Sequence, residues 1–275
     1  GTGGEARWFA RPTTMASLTD ALAFADAEGL AVAVVGLGSN LLVSDAGFDG
    51  LVLRLDGQLA TIAIEEGNAI CGGGASLAAL VRLATAAGLT GIEFGCAIPG
   101  TVGGAVRMNA GAYGGELRDV LVSAVVVSAA GTRTGGPEQL EMSYRHSNVA
   151  RGEVVAFATL GLHAGPVDEI RARVRAMQGR RSAAQPRKAR TFGSVFKNPD
   201  EGPGAGQLIE ACDLKGFTIG GARISTVHAN FIENAGGATS ADVAALIGEA
   251  RRRARERFGV ELEHEVELLG AIAIP

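Results

Sequence analysis

Apolar positions along the chain recur with two periods, one helical and one of strand type. Leu18, Leu22 and Ala25 share a helical face that Ser17 caps and Gly29 stops. An unbroken apolar run at 31–35 predicts a buried strand leading into Gly36-Leu37-Gly38-Ser39-Asn40. Further strands are predicted at 51–55, 59–64 and 68–72. Ser76 then opens a helix with Leu77, Leu80, Val81 and Leu83 inward, closed by Gly88. Strands at 120–128 and 154–162 are followed by a helix at 167–183. A linker at 184–192, carrying Pro186, leads into a second unit. That unit holds a short helix near 205–212, a Leu214-Lys215-Gly216 turn and a strand at 229–233. Its last helix runs 239–258. Thr239 and Asp242 form a capping box, and Val243, Leu246, Ile247, Ala250, Ala254 and Phe258 form the apolar stripe. A closing strand at 260–269 puts Glu261, Glu263, Glu265 and Glu267 on one side, which requires that they be solvated or paired. No internal repeat is present. Helices and strands are mixed along the whole chain.

Composition narrows the class. At 275 residues, 47% of them hydrophobic and 20% charged, the chain has material for two domains and a sizeable core. A net charge of −4 gives no argument for nucleic acid or a membrane surface. No run reaches the roughly 18 apolar residues of a membrane span, and no secretory signal opens the chain. Cys71, Cys96 and Cys212 are few, odd in number and far apart, which fits a reducing cytoplasm and no metal site. A soluble cytoplasmic protein is expected. Gly1-Thr2-Gly3-Gly4 runs straight into a strand at 6–10, as though a preceding segment had been cut away. Arg171, Arg173, Arg175, Arg180, Arg181, Arg187, Lys188 and Arg190 have no acid among them: a solvated face and linker, or a field that steers anions. The arginines at 251–253, 255 and 257 read as wet flanks of the last helix.

Forty-one glycines against ten Phe, two Tyr and one Trp are unusual, and point to tight turns or backbone held close to something bulky. Three glycine-bearing stretches carry candidate chemistry. Gly36 to Asn40 follows a strand, where backbone amides can cradle a diphosphate, but it lacks the third glycine and the helix of a dinucleotide fingerprint. The apolar stretch from Gly95 to Gly114 suits the wall of a flat cofactor, or else a run of tight turns. Gly193-Ser194-Val195-Phe196-Lys197-Asn198-Pro199 holds a hydroxyl, an ammonium and an amide at one bend.

Taken together these stretches resemble the UDP-N-acetylenolpyruvoylglucosamine reductase (MurB) family. The resemblance rests on GLGSNLLVSDAGFDGLVLRL at 36–55, GCAIPGTVGGAVRMNAGAYGGEL at 95–117, YRHS at 144–147 and GSVFKNP at 193–199. It continues through AGQLIEACDLKG at 205–216, GGARISTVHANFIEN at 220–234 and LEHEVELLG at 262–270. It implies a two-lobed FAD-binding fold of the vanillyl-alcohol-oxidase/PCMH type plus a smaller α+β substrate-binding domain. The lobes would be 1–56 and 57–190, the latter with a C-terminal strand at 261–275, and the substrate domain 191–260.

The same resemblance implies non-covalent FAD, NADPH as hydride donor, and reduction of UDP-N-acetylglucosamine enolpyruvate in peptidoglycan precursor synthesis. Arg145, Ser194 and Glu265 match the family's catalytic residues. Cofactor contacts would come from Gly36, Gly38, Ser39, Asn40, Leu41, Gly95, Ile98, Pro99, Gly100, Gly103, Gly104, Asn109, Gly111 and Tyr113. Tyr144, Lys197, Asn198 and Lys215 would meet the UDP-sugar, and a lone His228 is assigned no catalytic role. The family usually has a further segment ahead of Gly-Gly, with an arginine where Gly1 stands, and a small residue where Phe192 stands, so a reshaped pocket beside Ser194 is expected. No inserted tyrosine-bearing loop follows Arg145, so the shorter form of the family is the one resembled. A related FAD oxidase or dehydrogenase would need a base at 194, and no His or Tyr stands in 193–199. A non-catalytic UDP-sugar binder would have no use for Arg145, Ser194 and Glu265 together.

Overall fold

The computed structural model describes residues 2–186 and 190–275. Gly1, Arg187 and Lys188, singled out above, lie outside them. Packing divides the chain into two compact units, Trp8–Leu37 with Gly50–Arg181, and Gly1–Arg7 with Gly38–Asp49 and Ser182–Pro275.

The larger unit is built on a five-stranded antiparallel sheet. Its order is Gly131–Gly135, Leu121–Ser128, Val154–Gly161, Asn68–Gly72, Ile62–Glu65. Helix α1 (Met15–Ala27) buries Leu18, Leu22 and Ala25 in a core shared with Val127, Val154 and Ala156. The cap of α1 is Thr14, not Ser17. The Thr14 hydroxyl accepts from Ser17 N and the Ser17 hydroxyl accepts from Thr14 N, a reciprocal pair worth about 1 kcal/mol. Helix α2 (Leu77–Ala86) buries Leu77, Leu80 and Val81 in a second core with Ala124, Val126, Ala158 and Leu160. Apolar residues from both central strands thus enter two separate cores, which is why they read as continuous apolar runs rather than alternating ones.

One irregularity in this sheet matters for the site. Val125 pairs with Phe157 and Val126 with Val155, so Ala156 is a bulged residue. The Ala156 carbonyl accepts from Gly73 N at 2.8 Å. Beyond the sheet, the glycine-rich stretch is not all loop. It contains α3 (Val102–Arg107), capped by Thr101. Helix α4 (Val167–Ala184) is polar, with only Ile170 buried. Its Arg173 reaches back to the buried Glu93 at 2.7 Å.

In the smaller unit, α5 (Ala205–Ala211) and α6 (Ser240–Phe258) share one core with the antiparallel strands Thr218–Ile219, Ala222–Ile224 and Ile232–Asn234. The first two strands are too short to carry an alternating pattern, and the third begins three residues later than expected. Thr239 and Asp242 cap α6 reciprocally as predicted. Phe258, expected on the apolar stripe, is exposed at the last turn. Phe192 is buried in this core, which absorbs the bulk expected to reshape a pocket. The closing strand is only Glu267–Leu269, paired in parallel with Leu41–Val43.

The α6 arginines pair with carboxylates: Arg251 and Arg255 with Glu261, Arg252 and Arg253 with Glu249, Arg257 with Asp213. Arg252, aided by Arg253, draws the Glu249 carboxyl down from 4.5 to about 2. A depressed carboxylate stabilises the fold above its unfolded pKa and loses that contribution as pH falls. Glu249→Gln is therefore expected to have a lower melting temperature than the parent at pH 7. The difference closes between about pH 4.5 and about pH 2, which thermal melts across that window check.

Candidate active site

In the larger unit the bulge at Ala156 brings three backbones together. A Cβ on Gly73 would meet the Val155 carbonyl at 1.8 Å, and one on Gly103 would meet the Gly73 carbonyl at 2.9 Å. Around them lies a pocket open to solvent, walled by Gly36, Leu37, Gly74 and Gly104 and by Arg11, Arg54 and Arg107. Arg11 is paired with Asp56 and Glu153 with Arg133, both carboxylates also on the wall. The amides of Gly36 and Leu37 meet no acceptor among the described residues. Free amides, close-packed glycine backbone and guanidinium groups suit a diphosphate. Dinucleotide binding fits these residues. Of the predicted cofactor contacts, Gly36, Gly103 and Gly104 line this pocket. Gly73, Gly74, Arg11, Arg54 and Arg107 were not foreseen, although Gly72-Gly73-Gly74 stood in the sequence as a signal of close approach.

Gly73→Ala tests this packing, because the clash is with backbone and cannot be relieved by a rotamer. We expect a loss of at least about 3 kcal/mol in unfolding free energy. The check is a denaturant titration.

Arg145 lies in the same unit at the tip of a tight turn. Its Nη2 donates to the Gly111 carbonyl at 2.7 Å and its guanidinium carbon lies 4.9 Å from the centre of the Tyr144 ring. Tyr144 and Tyr113 are exposed, and Arg180 stacks on Tyr113 at 4.8 Å. Among the other predicted contacts, Pro99 is exposed, Ile98 packs on the core, and the Gly100 carbonyl accepts from Leu77 N at 3.0 Å. Gly95 is buried against Val81, and Asn109 has no exposed surface at all. Neither presents a side chain to a ligand.

The smaller unit gathers the other predicted residues from three distant stretches. Segment 195–197 lies beside 263–265: Glu265 N donates to the Val195 carbonyl at 2.7 Å and Lys197 N to the Glu263 carbonyl at 2.9 Å. Its other edge is held by a buried side chain. Asn230 Nδ2 donates to the Phe196 carbonyl and its Oδ1 accepts from Phe196 N, both at 2.9 Å, in place of a neighbouring strand. Ser194 enters this clamped segment half-buried, and its hydroxyl has no hydrogen-bond partner among the described residues. Asn40 Nδ2 donates to the Glu265 carbonyl at 3.1 Å, while Glu267 N donates to the Asn40 carbonyl at 3.0 Å. Gly193 comes close enough that a Cβ there would lie 3.2 Å from the Ser39 carbonyl. Gly38, beside them in sequence, has a φ of 69° and open space around it. The loop at 38–41 and the Ser194 and Glu265 segments are therefore one assembly.

The four alternating glutamates separate here. Glu261 pairs with Arg251 and Arg255, and Glu263 pairs with Lys197 at 2.6 Å. Lys215 pairs with Glu210 at 2.7 Å, and Asn198 Oδ1 accepts from Ala205 N at the start of α5. Burial, reinforced by Lys215, pushes the His228 imidazole below 6.5. Its Nδ1 accepts from Asn230 N at 3.2 Å, a bond that requires an unprotonated nitrogen. His228 thus supports the clamp. Burial pushes the Cys71 thiol up to about 12, so it is inert at neutral pH. The described residues contain no cluster of three or more metal-ligating side chains, and no helix long and apolar enough to cross a membrane.

Residues 185–269 match the C-terminal domain of UDP-N-acetylenolpyruvoylglucosamine reductase, and residues 6–134 match an FAD-binding domain. The UDP-N-acetylenolpyruvoylglucosamine reductase of Sphingopyxis alaskensis is 44% identical over 271 residues, covering 98% of this chain and 90% of its own. The chain belongs to the UDP-N-acetylenolpyruvoylglucosamine reductase family. The family member of Limosilactobacillus reuteri is 41% identical over 271 residues, 98% of this chain and 90% of its own. The crystal structure of the Thermus caldophilus reductase superposes with a TM-score of 0.82 at 37% identity, covering 95% of this chain and 92% of that one. Both parts of the family's architecture, the FAD-binding domain and the C-terminal domain, are therefore present.

Proposed function

We propose that this chain uses FAD and NADPH to reduce UDP-N-acetylglucosamine enolpyruvate to UDP-N-acetylmuramate, a step of peptidoglycan precursor synthesis. Family membership favours this reading over an oxidase or a UDP-sugar sensor. The observation that carries the mechanism is the Ser194 hydroxyl, unpartnered among the described residues, on a segment clamped by Asn230 on one edge and tied to Glu265 on the other.

FAD, when bound, would supply hydride chemistry at the terminal vinyl carbon of the enol ether, with NADPH as the hydride source. Electron density then collects on the adjacent carbon and its carboxylate. Arg145 meets that charge with a planar fork of donors. Glu265, when protonated, donates a further hydrogen bond to the same enolate. Ser194 gives its proton to the carbon that bears the carboxylate. A neutral hydroxyl suits that role, since an enolate is a strong base and no second charge has to be buried. Gly36, Gly103 and Gly104 with the arginines around them would hold the FAD diphosphate. Lys197, Asn198, Lys215 and Tyr144 would meet the UDP-sugar. Since Lys197 and Lys215 already hold carboxylate partners, a diphosphate would have to compete with Glu263 and Glu210. Glu263→Gln is expected to tighten product binding by up to about tenfold, measured by calorimetric titration with UDP-N-acetylmuramate. Unchanged or weaker binding would remove Lys197 from the ligand contacts. The proposal as a whole is tested by mass-spectrometric detection of UDP-N-acetylmuramate from the enolpyruvyl substrate and NADPH. NADPH consumption without that product would reject it.

A further inference from the structure

Asn109 lies at the end of α3, in the stretch expected to touch the cofactor, yet it is completely buried. Its own backbone is left-handed, with φ 39°. Its Nδ2 donates to the Ser143 carbonyl at 2.8 Å and its Oδ1 accepts from Arg118 N at 3.0 Å. Ser143 is the first residue of the Arg145 turn. Ser143 N donates to the His146 carbonyl and His146 N to the Ser143 carbonyl, each at 3.1 Å, leaving Tyr144 and Arg145 at the tip. Arg145 has φ 54°, a left-handed conformation that is sterically strained for a side-chain-bearing residue. A strained residue of this kind persists only where its surroundings over-determine it.

The surroundings form a closed ring. From Asn109 the chain runs through Ala110 to Gly111, whose carbonyl accepts from the Arg145 guanidinium. From Arg145 it runs back through Tyr144 to Ser143, whose carbonyl accepts from the Asn109 side chain. Asn109 thus fixes the base of the turn and, two residues on, leads to the acceptor that fixes the head of Arg145. We propose that Asn109 is the positioning residue for Arg145, holding a strained turn so that the guanidinium fork meets the substrate carboxylate in one orientation. This assignment rests on the reductase reading for its catalytic consequence, but not for its geometry.

The isosteric variant Asn109→Asp is the sharpest probe. It keeps the acceptor for Arg118 N and sets an anionic oxygen against the Ser143 carbonyl. Crystal structures of the parent and Asn109→Asp holoproteins are expected to show residue 145 leaving the left-handed region and its bond to Gly111 opening. An unmoved turn overturns the proposal, whatever the kinetics. Product formation is then compared in a double-mutant cycle with Arg145→Ala. Asn109→Asp is expected to slow the parent about 10- to 100-fold and the Arg145→Ala protein less than about twofold. Equal slowing in both backgrounds would make Asn109 a general structural residue and overturn its role through Arg145. A parent holoprotein that forms no product would refute the reductase reading, while the crystallographic comparison would still decide the brace.

Discussion

Ser194→Ala is expected to leave the bleaching of the flavin band by NADPH at its parental rate and to slow product formation by about 10²–10⁴-fold, the range for loss of a positioned proton donor. The separation follows from the proposed role, in which the hydroxyl is needed only once the enolate has formed. The surrounding structure should tolerate the change, since the hydroxyl has no hydrogen-bond partner among the described residues and the segment is held by Asn230 and by the 263–265 backbone. Stopped-flow mixing with NADPH alone, then with the enolpyruvyl substrate, resolves the two phases. Equal slowing of both would show that the residue supports the fold or the cofactor instead of protonating the product.

At Arg145 two substitutions should match in activity and differ in stability. Both Arg145→Ala and Arg145→Gly lose the fork proposed to meet the developing carboxylate charge, and both should lose about 10²–10³ in the rate of product formation. Both also lose the bond to Gly111 and the stacking on Tyr144. They differ in the backbone. Glycine adopts a φ of 54° without a steric cost, whereas alanine retains it. Arg145→Gly should therefore be about 1 kcal/mol more stable than Arg145→Ala in thermal or denaturant unfolding. If alanine proves as stable as glycine, residue 145 is not strained and the case for a held turn fails.

How much of this could be read from the chain alone depended on how local the determinant was. The cores of α1, α2 and α6 were legible because their apolar positions repeat within one helix. The cap of α1 was misplaced by three residues because Ser17 and Thr14 are both good caps, and only the folded geometry shows that each bonds the other. Two- and three-residue strands carry no period, so the hairpin at 218–224 was invisible.

The site divides in the same way. Ser194, Glu265 and Arg145 were named because they sit in recognisable motifs. The pocket around Gly73, Arg54 and Arg107 was missed because separate stretches and a bulge in a neighbouring strand assemble it. Asn109 and Asn230 illustrate the same limit. As sequence Asn230 is one polar residue among many and Asn109 reads as a cofactor contact, and their work, bracing one turn and standing in for one strand, appears only once partners 34 residues away in each case are in contact.

The most direct test of the account is a single turnover in D₂O: holoprotein reduced by NADPH, mixed with UDP-N-acetylglucosamine enolpyruvate and quenched. The account predicts UDP-N-acetylmuramate carrying deuterium on the carbon that bears the carboxylate, formed by the parent and not, on the same timescale, by Ser194→Ala. Recovery of unreacted enolpyruvyl substrate from the parent, or equal labelling rates in the two proteins, would contradict it.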